Sequence, residues 1–446
     1  MDTPICDFVT RYLESDPLRT HMPGHKGVSL TGLEPRDLTE IAGADSLYEA
    51  NGIIYQSEQN AGTLFGAETF YSTEGSSQCI RAMLYLAALY AKKQGCAPKI
   101  LAARNAHKTF LSAAALCDLD VTWLTAKEQT SYLSCVIDAE TVEAALKREE
   151  MLPAAVYLTS PDYLGNITPI APIAEVCHRY GVLLVVDNAH GAYLKFLPKS
   201  CHPMDQGADI CCDSAHKTLP ALTGAAYLHI AHDAPEFLRQ QAKTALAMFG
   251  STSPSYLILQ SLDAVNGYLA DGYRERLAAF ICKTEAMKSR LTAHGYTLCG
   301  QEPTKLVIDA KAYGYTGEAL AEILLESRIA VEFADPDFLV MMVTPETGEE
   351  GLARLEAALC AIPRREVLLE TAPVFSLPER AMSIRQAAMS LCETVPVSES
   401  LGCVLAAATV GCPPAVPIVA CGERIDEAAL RCFAYYGIDC CTVVIE

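Results

Sequence analysis

The chain has 446 residues, 51% of them hydrophobic and 20% charged, with a formal net charge of −20. That length can bury two or three domains, and that balance excludes a disordered chain. The acidic surplus argues against nucleic acid or an anionic membrane surface as the main partner, and it suits a cationic substrate.

The N-terminal residues 4–15 fit a short amphipathic helix that ends near Asp16-Pro17. The next stretch, His21-Met22-Pro23-Gly24-His25-Lys26-Gly27, holds too many breakers for a regular element. It reads either as a solvated turn or as part of an active site or subunit interface. Residues 43–52 are irregular as well. A helical pattern over 57–65 and a strand over 69–72 lead to Glu74-Gly75-Ser76-Ser77, a turn opening a helix over 78–94. Glycine and two hydroxyls at a helix start suit an anion, because free N–H groups and the helix dipole face it. Simple capping by serine is the alternative. After a strand at 99–103 comes His107, placed either to stack on an aromatic ring or to cap the next helix. Residues 121–124 and 154–158 read as strands, 138–147 and 170–180 as helices, with a turn-rich loop over 159–166. The alternation of strand and helix predicts a mainly parallel sheet with helices on both faces. No G-x-G-x-x-G follows a strand, so a dinucleotide site is not expected.

Val182-Leu183-Leu184-Val185-Val186 is a continuous apolar run, the pattern of a strand buried on both faces. It ends in Asp187-Asn188-Ala189-His190. In open α/β sheets, ligands bind at the carboxyl ends of the strands. Asp187 is therefore either a helix cap or the partner of a pyridinium nitrogen. A second apolar run, 208–212, leads into Asp213-Ser214-Ala215-His216-Lys217-Thr218-Leu219-Pro220, and a third follows at 224–230. A lysine between buried strands is unusual unless paired or used, and a desolvated lysine can form a Schiff base with the carbonyl of pyridoxal phosphate (PLP). A surface lysine lying along the sheet edge is the alternative for this octapeptide alone. Taken with Asp187, the cofactor reading is the better one.

A helix over 235–249 follows, then Gly250-Ser251-Thr252-Ser253-Pro254-Ser255 opens a long helix over 256–293. Residues 305–309, 317–327 and 339–344 fit a smaller α/β unit, and a proline- and charge-bearing linker (362–378) precedes a last unit. The expected domains are an N-terminal segment at 1–66, a large PLP-binding domain at 67–300, a small α/β domain at 301–367 and a C-terminal α+β domain at 368–446. The cysteines number 19, are scattered and form no C-x-x-C pair. Neither a disulfide framework nor a metal site is expected from them, and a reducing compartment suits them. With no basic N-terminal region and no run of about 18 apolar residues, neither a signal peptide nor a membrane span is expected, which makes the cytoplasm the default.

Taken together, these motifs resemble the ornithine/lysine/arginine decarboxylase family, whose PLP-dependent transferase fold is of the aspartate-aminotransferase type. The resemblance rests on His21–Gly27 as written above, residues 43–52, 104–109 and 159–166, Asp187-Asn188-Ala189-His190-Gly191, Ser214-Ala215-His216-Lys217-Thr218 and the segment 251–256. Pro413-Pro414-Ala415-Val416-Pro417 and Gly422-Glu423 match more weakly. By that resemblance Lys217 carries the Schiff base, Asp187 pairs with the pyridine nitrogen and His107 stacks on the ring. Ser76, Ser77, Ser214 and His216 hold the phosphate, Gly75 allows close approach, and His190 sits near the phenolic oxygen. The site is expected at the interface of a homodimer, with Ser251 or Thr252 of the second subunit completing the phosphate site. Lys217 or His216 returns a proton to Cα, while Glu332 or Glu423 binds the distal cation. The implied reaction is decarboxylation of arginine or lysine, less so ornithine. Another PLP reaction and a non-catalytic PLP-binding homologue are the alternatives.

Three departures stand out. The family's Tyr-Pro-Pro-Gly-Ile-Pro is here Cys412-Pro413-Pro414-Ala415-Val416-Pro417, which puts the substrate entrance in doubt. Gly224 follows Leu222-Thr223 where glutamine is frequent, and Asn188 follows Asp187 where glutamate is common. The chain also starts at the PLP region, without the N-terminal regulatory-like domain of longer members, so their large assemblies are not implied.

Overall fold

Seven apolar runs form one sheet at the centre of the structure, a computed structural model that describes residues 1–127, 131–374, 376–407 and 414–445. The strands are β1 (Glu68–Ser72), β2 (Ala97–Ala103), β3 (Asp120–Leu124), β4 (Pro153–Thr159), β5 (Leu183–Asp187), β6 (Ile210–Asp213) and β7 (Ala226–Ile230). Their spatial order is β1-β7-β6-β5-β4-β2-β3. The five strands from β3 to β6 in that order are parallel, and β7 runs antiparallel to both of its neighbours.

The helices α1 (Pro4–Glu14) and α2 (Ile53–Phe65) precede the sheet. α3 (Gly75–Gln94), α4 (Lys108–Leu116), α5 (Ala139–Leu146) and α6 (Ile170–Tyr180) alternate with its strands. Burial explains why the strands lack a polar alternation. Val185 packs with Leu84, Phe110 and Leu246 on one face, while Leu184 and Val186 pack with Ile173 and Cys177 on the other. Every residue of β5, β6 and β7 is buried, as a sheet covered on both faces requires.

Beyond the sheet lie α7 (Ala215–Thr218), α8 (Glu236–Ala247), α9 (Tyr256–Ala270) and α10 (Tyr273–His294). The helix expected over 256–293 is thus two helices. The break falls at Asp271-Gly272, where Gly272 takes a left-handed φ of 67°. That conformation is open to glycine and ends a right-handed helix.

Two smaller sheets follow. β8 (Thr297–Cys299), β9 (Lys305–Asp309), β10 (Phe333–Ala334) and β11 (Phe338–Met342) pair in the order β10-β11-β9-β8, all antiparallel. β12 (Cys392–Pro396), β13 (Leu405–Ala407) and β14 (Cys440–Val444) pair as β12-β14-β13. One apolar cluster joins the two units over the large sheet's loops. Leu133 and Leu164 pack there with Val307 and Val340 and with Leu405, Val416 and Ile418. The C-terminal unit is thereby fastened beside the carboxyl ends of the central strands. Among the described residues no helix is long and apolar enough to cross a membrane.

Candidate active site

β4, β5 and β6 end side by side, and the chain after each turns toward one cavity of about 450 Å³. Asp187 is the last residue of β5, so the strand itself aims its carboxylate. It is 2% exposed and accepts hydrogen bonds from the Tyr157 hydroxyl (3.2 Å) and the Ala189 N–H (3.1 Å). Burial pushes its pKa up, and the Lys217 charge opposes that shift. Lys217 lies in α7, a single turn that starts at Ser214 directly after β6. Its Nζ is 3.0 Å from His190 Nε2. Residues 27 positions apart are brought together because β5 and β6 are adjacent and parallel.

The other end of the cavity is built by the start of α3. Gly75 has a φ of 72°, and a Cβ there would meet no atom within 4 Å. Open space therefore faces the first turn, whose N–H groups have no partner within the helix. The Ser214 hydroxyl donates to Ser76 Oγ at 2.8 Å, and Ser77 Oγ lies 3.3 Å from Thr109 Oγ1. Gly224, where the related motif has glutamine, accepts from the Gly75 N–H at 2.8 Å. Its φ is 98°, and a Cβ would lie 2.9 Å from the Thr73 carbonyl oxygen. A side chain does not fit there.

His107 caps a helix, one of the two expectations stated for it, and stands where it faces the cavity. Its Nδ1 caps α4 by accepting the Thr109 N–H at 3.1 Å, and its ring lines the cavity. Burial, with Lys217, Lys108 and Arg81 nearby, lowers its pKa to about 4, so the ring is neutral. His216 also lines the cavity. Its Nδ1–H donates to the Ala225 carbonyl at 3.0 Å, which leaves Nε2 as an acceptor. Burial shifts this imidazole down as well.

Glu332 and Tyr163 face the same cavity. The Tyr163 hydroxyl donates to Glu332 Oε1 at 2.8 Å, which orients an otherwise exposed carboxylate at the rim. The structure brings together Gly75, Ser76, Ser77, His107, Asp187, His190, Ser214, His216, Lys217 and Glu332. Ser251 and Thr252 are exposed and do not line this cavity; they were expected to act across a subunit boundary.

Glu423 is a correction. It was expected, as an alternative to Glu332, to bind the substrate's distal cation, yet it is 3% exposed and outside the cavity lining. Its Oε2 lies 2.9 Å from Arg104 Nη2 and accepts the Ala420 N–H at 2.6 Å. Arg104, 1% exposed, also donates to the Pro417 and Ile418 carbonyls, both at 2.9 Å. A buried carboxylate needs such a partner, and this one ties the C-terminal unit to the end of β2. Cys412 and Pro413, where the sequence departs from the related motif, lie outside the described residues. Pro414 and Val416 line the cavity, and the Lys108 N–H donates to the Ala415 carbonyl at 2.8 Å. The described part of that loop reaches the site.

Sequence reasoning overlooked Asn105, Thr159 and Tyr163. Thr159 ends β4 as Asp187 ends β5, so the strand-end rule was the available signal. Asn105 Oδ1 and Thr159 Oγ1 are buried with no hydrogen-bond partner among the described residues. Both line the cavity. Unpaired buried polar atoms mark a place made for another molecule's polar groups. The donor set fits PLP: an acid for a ring nitrogen, imidazoles for a ring face, hydroxyls and a helix start for a phosphate, and an amine for an aldehyde.

Comparisons with known proteins bear on the family and the fold. The family model described as "Orn/Lys/Arg decarboxylase, major domain" matches residues 3–299. The chain is 30% identical to an arginine decarboxylase of Halalkalibacterium halodurans, over 96% of this chain and 92% of the relative. It is 29% identical to an arginine decarboxylase of Bacillus subtilis, over 96% and 92%. Among solved structures, the lysine decarboxylase of Francisella novicida superposes with a TM-score of 0.78 at 18% identity, covering 99% of this chain and 81% of the other.

Proposed function

This chain belongs to the Orn/Lys/Arg decarboxylase family, and on that premise we propose that it decarboxylates L-arginine at the cavity around Lys217. Its reaction is PLP-dependent decarboxylation of a basic amino acid, which makes it a carboxy-lyase. Arginine is favoured over lysine and ornithine because two relatives at 30% and 29% identity, each aligned over 96% of the chain, carry that name, while the lysine decarboxylase structure is only 18% identical. The single observation that supports the site is the juxtaposition of Lys217, Asp187 and His107 in one cavity whose rim carries Glu332.

Bound there, PLP supplies an electron sink for the electron pair released when the α-carboxylate leaves as CO2. Lys217 Nζ is the covalent anchor, and the Asp187 carboxylate holds the ring nitrogen protonated. The neutral ring of His107 fixes the plane of the cofactor. Ser76, Ser77 and Ser214, with the first N–H groups of α3 and His216, hold the phosphate. Lys217 Nζ would be placed to return a proton to Cα, with His216 as the other candidate once its Nε2, an acceptor in the neutral ring, has taken up a proton. Glu332, oriented by Tyr163, accepts hydrogen bonds from the substrate's distal cation.

The assembly is proposed as a homodimer, with Ser251 and Thr252 of one subunit completing the phosphate site of the other. Two observations support it. Both residues are exposed in the loop ahead of α9, and the N-terminal loop exposes Leu18, Met22, Val28, Leu30 and Leu33 within sixteen positions. Such an apolar run on the surface suits a second copy of the chain. A cytoplasmic location fits cysteines that are scattered along the chain and form no C-x-x-C pair.

The test is CO2 release from L-arginine, L-lysine and L-ornithine by the PLP-loaded protein, with its visible spectrum followed in the same samples. CO2 from arginine, lost in Lys217→Met together with the visible band, is the expected result. Release from lysine alone would overturn the substrate, and an unaltered band in Lys217→Met would overturn the anchor.

A further inference from the structure

His190 stands between two lysines. Lys217 Nζ is 3.0 Å from its Nε2, and Lys305 Nζ is 3.1 Å from its Nδ1. Lys305 is the first residue of β9, in the smaller four-stranded sheet, yet its side chain crosses into the large unit and is 1% exposed. It donates to the Asp162 carbonyl at 3.1 Å and makes an ion contact of 2.7 Å with Glu302 Oε2. Glu302 is itself fully buried, and its Oε1 accepts from the Tyr193 hydroxyl at 3.1 Å.

We propose that Lys305 is a positioning residue that fixes the proton of His190 on Nε2, aimed at Lys217. A lysine held against a buried carboxylate is an ammonium, and an ammonium has hydrogens to donate and no lone pair to accept. His190 Nδ1 must then be the acceptor. A neutral imidazole carries one N–H, so that hydrogen sits on Nε2. The opposite tautomer would set an N–H against an ammonium. With Nε2–H as donor, the Lys217 nitrogen meets it as acceptor, which requires the lone pair that makes an amine nucleophilic.

The groups facing His190 agree with a neutral ring. They are Lys217 and His216 from α7, Lys305 from β9 and His107 ahead of α4, and with burial they hold the imidazole well below its usual range. The Tyr163 ring meets it edge-on at 5.1 Å. The consequence for catalysis rests on the reading of Lys217 as the anchor; the tautomer itself does not.

The primary test is the ¹⁵N spectrum of the cofactor-free chain labelled at histidine, with His190 assigned by its loss in His190→Gln. The expected result is the Nε2–H tautomer. A wild-type Nδ1–H tautomer or an imidazolium would overturn the proposal without any further variant. Glu302→Gln/Lys305→Met removes the ammonium without stranding a charge, and it should give a mixture of tautomers. In the PLP-loaded enzyme it should move the pH midpoint of the visible band by about one unit or more. Lys305→Arg, which keeps a donor, should restore both. A folded double variant with unchanged tautomer and midpoint would overturn the role. If Lys217→Met keeps the visible band, the anchor reading fails, while the tautomer of the cofactor-free chain still decides this proposal.

Discussion

Glu332 reaches the cavity from β10's entry while Lys217 reaches it from α7, so in the proposed reaction recognition of the substrate's far end and bond breaking at its near end would sit on separate units. The Tyr163 hydroxyl at 2.8 Å keeps the rim carboxylate aimed inward. Glu332→Gln is expected to lower kcat/KM for arginine by about 10–100-fold, the range of a lost charged hydrogen bond. The visible cofactor band should stay unchanged, because Glu332 is remote from the anchor's role. Steady-state kinetics with the spectrum of the same preparation checks it. At this scale Asp187, His107 and Lys217 were legible because each follows a buried strand, where a polar group needs a purpose. Lys305 was not. It opens a strand far along the chain, and only the packing of that strand against the large unit brings its nitrogen to His190.

Among elements, the buried pair of Arg104 and Glu423 fastens the C-terminal unit to the end of β2. Removing one partner strands the other's charge, which costs about 3–5 kcal/mol. Glu423→Gln is therefore expected to lower the melting temperature and loosen the cavity wall formed by Pro414 and Val416. Calorimetry and limited proteolysis in the 400–420 segment would show it. Glu423 was read as a candidate for the distal cation because Gly422-Glu423 matches a family motif; its burial depends on Arg104, 319 positions away.

The turn between β10 and β11 holds a pH-sensitive group. Asp335 is 6% exposed, and burial pushes its pKa up to about 7, with Asp337 and Glu318 adding to the rise. An unfolded carboxylate titrates near 4. Between those values the folded chain binds the proton that the unfolded chain has released. Stability from this group is therefore full below about pH 4 and is lost as pH rises toward 7. Asp335→Asn, which mimics the protonated acid, should flatten the fall of melting temperature between pH 5 and 8, measured by a thermal-shift series. An equally steep fall in the variant would assign the effect elsewhere.

For the whole molecule, the formal charge of −20 spreads repulsion over every surface not covered by a partner. An exposed apolar loop on such a molecule is where a second copy gains most. Sedimentation across a concentration series is expected to show a dimer, with PLP retention falling as it dissociates. Ser251→Ala/Thr252→Ala should weaken PLP retention without altering the monomer's melting. Tight PLP binding by a monomer would exclude a shared site.

The sequence alone determined the sheet-and-helix alternation, the polar strand ends that meet at one cavity and the acidic character suited to a cationic substrate. These follow from local rules: buried strands are uniformly apolar, and functional groups collect at their carboxyl ends. Tertiary structure alone decided which carboxylate stays at the rim and which is sealed with Arg104. It also divided the 256–293 helix at Gly272, and it set a second lysine against His190. Each depends on groups distant in the chain meeting in a low-dielectric interior, where pairing rather than residue type settles what a charge does.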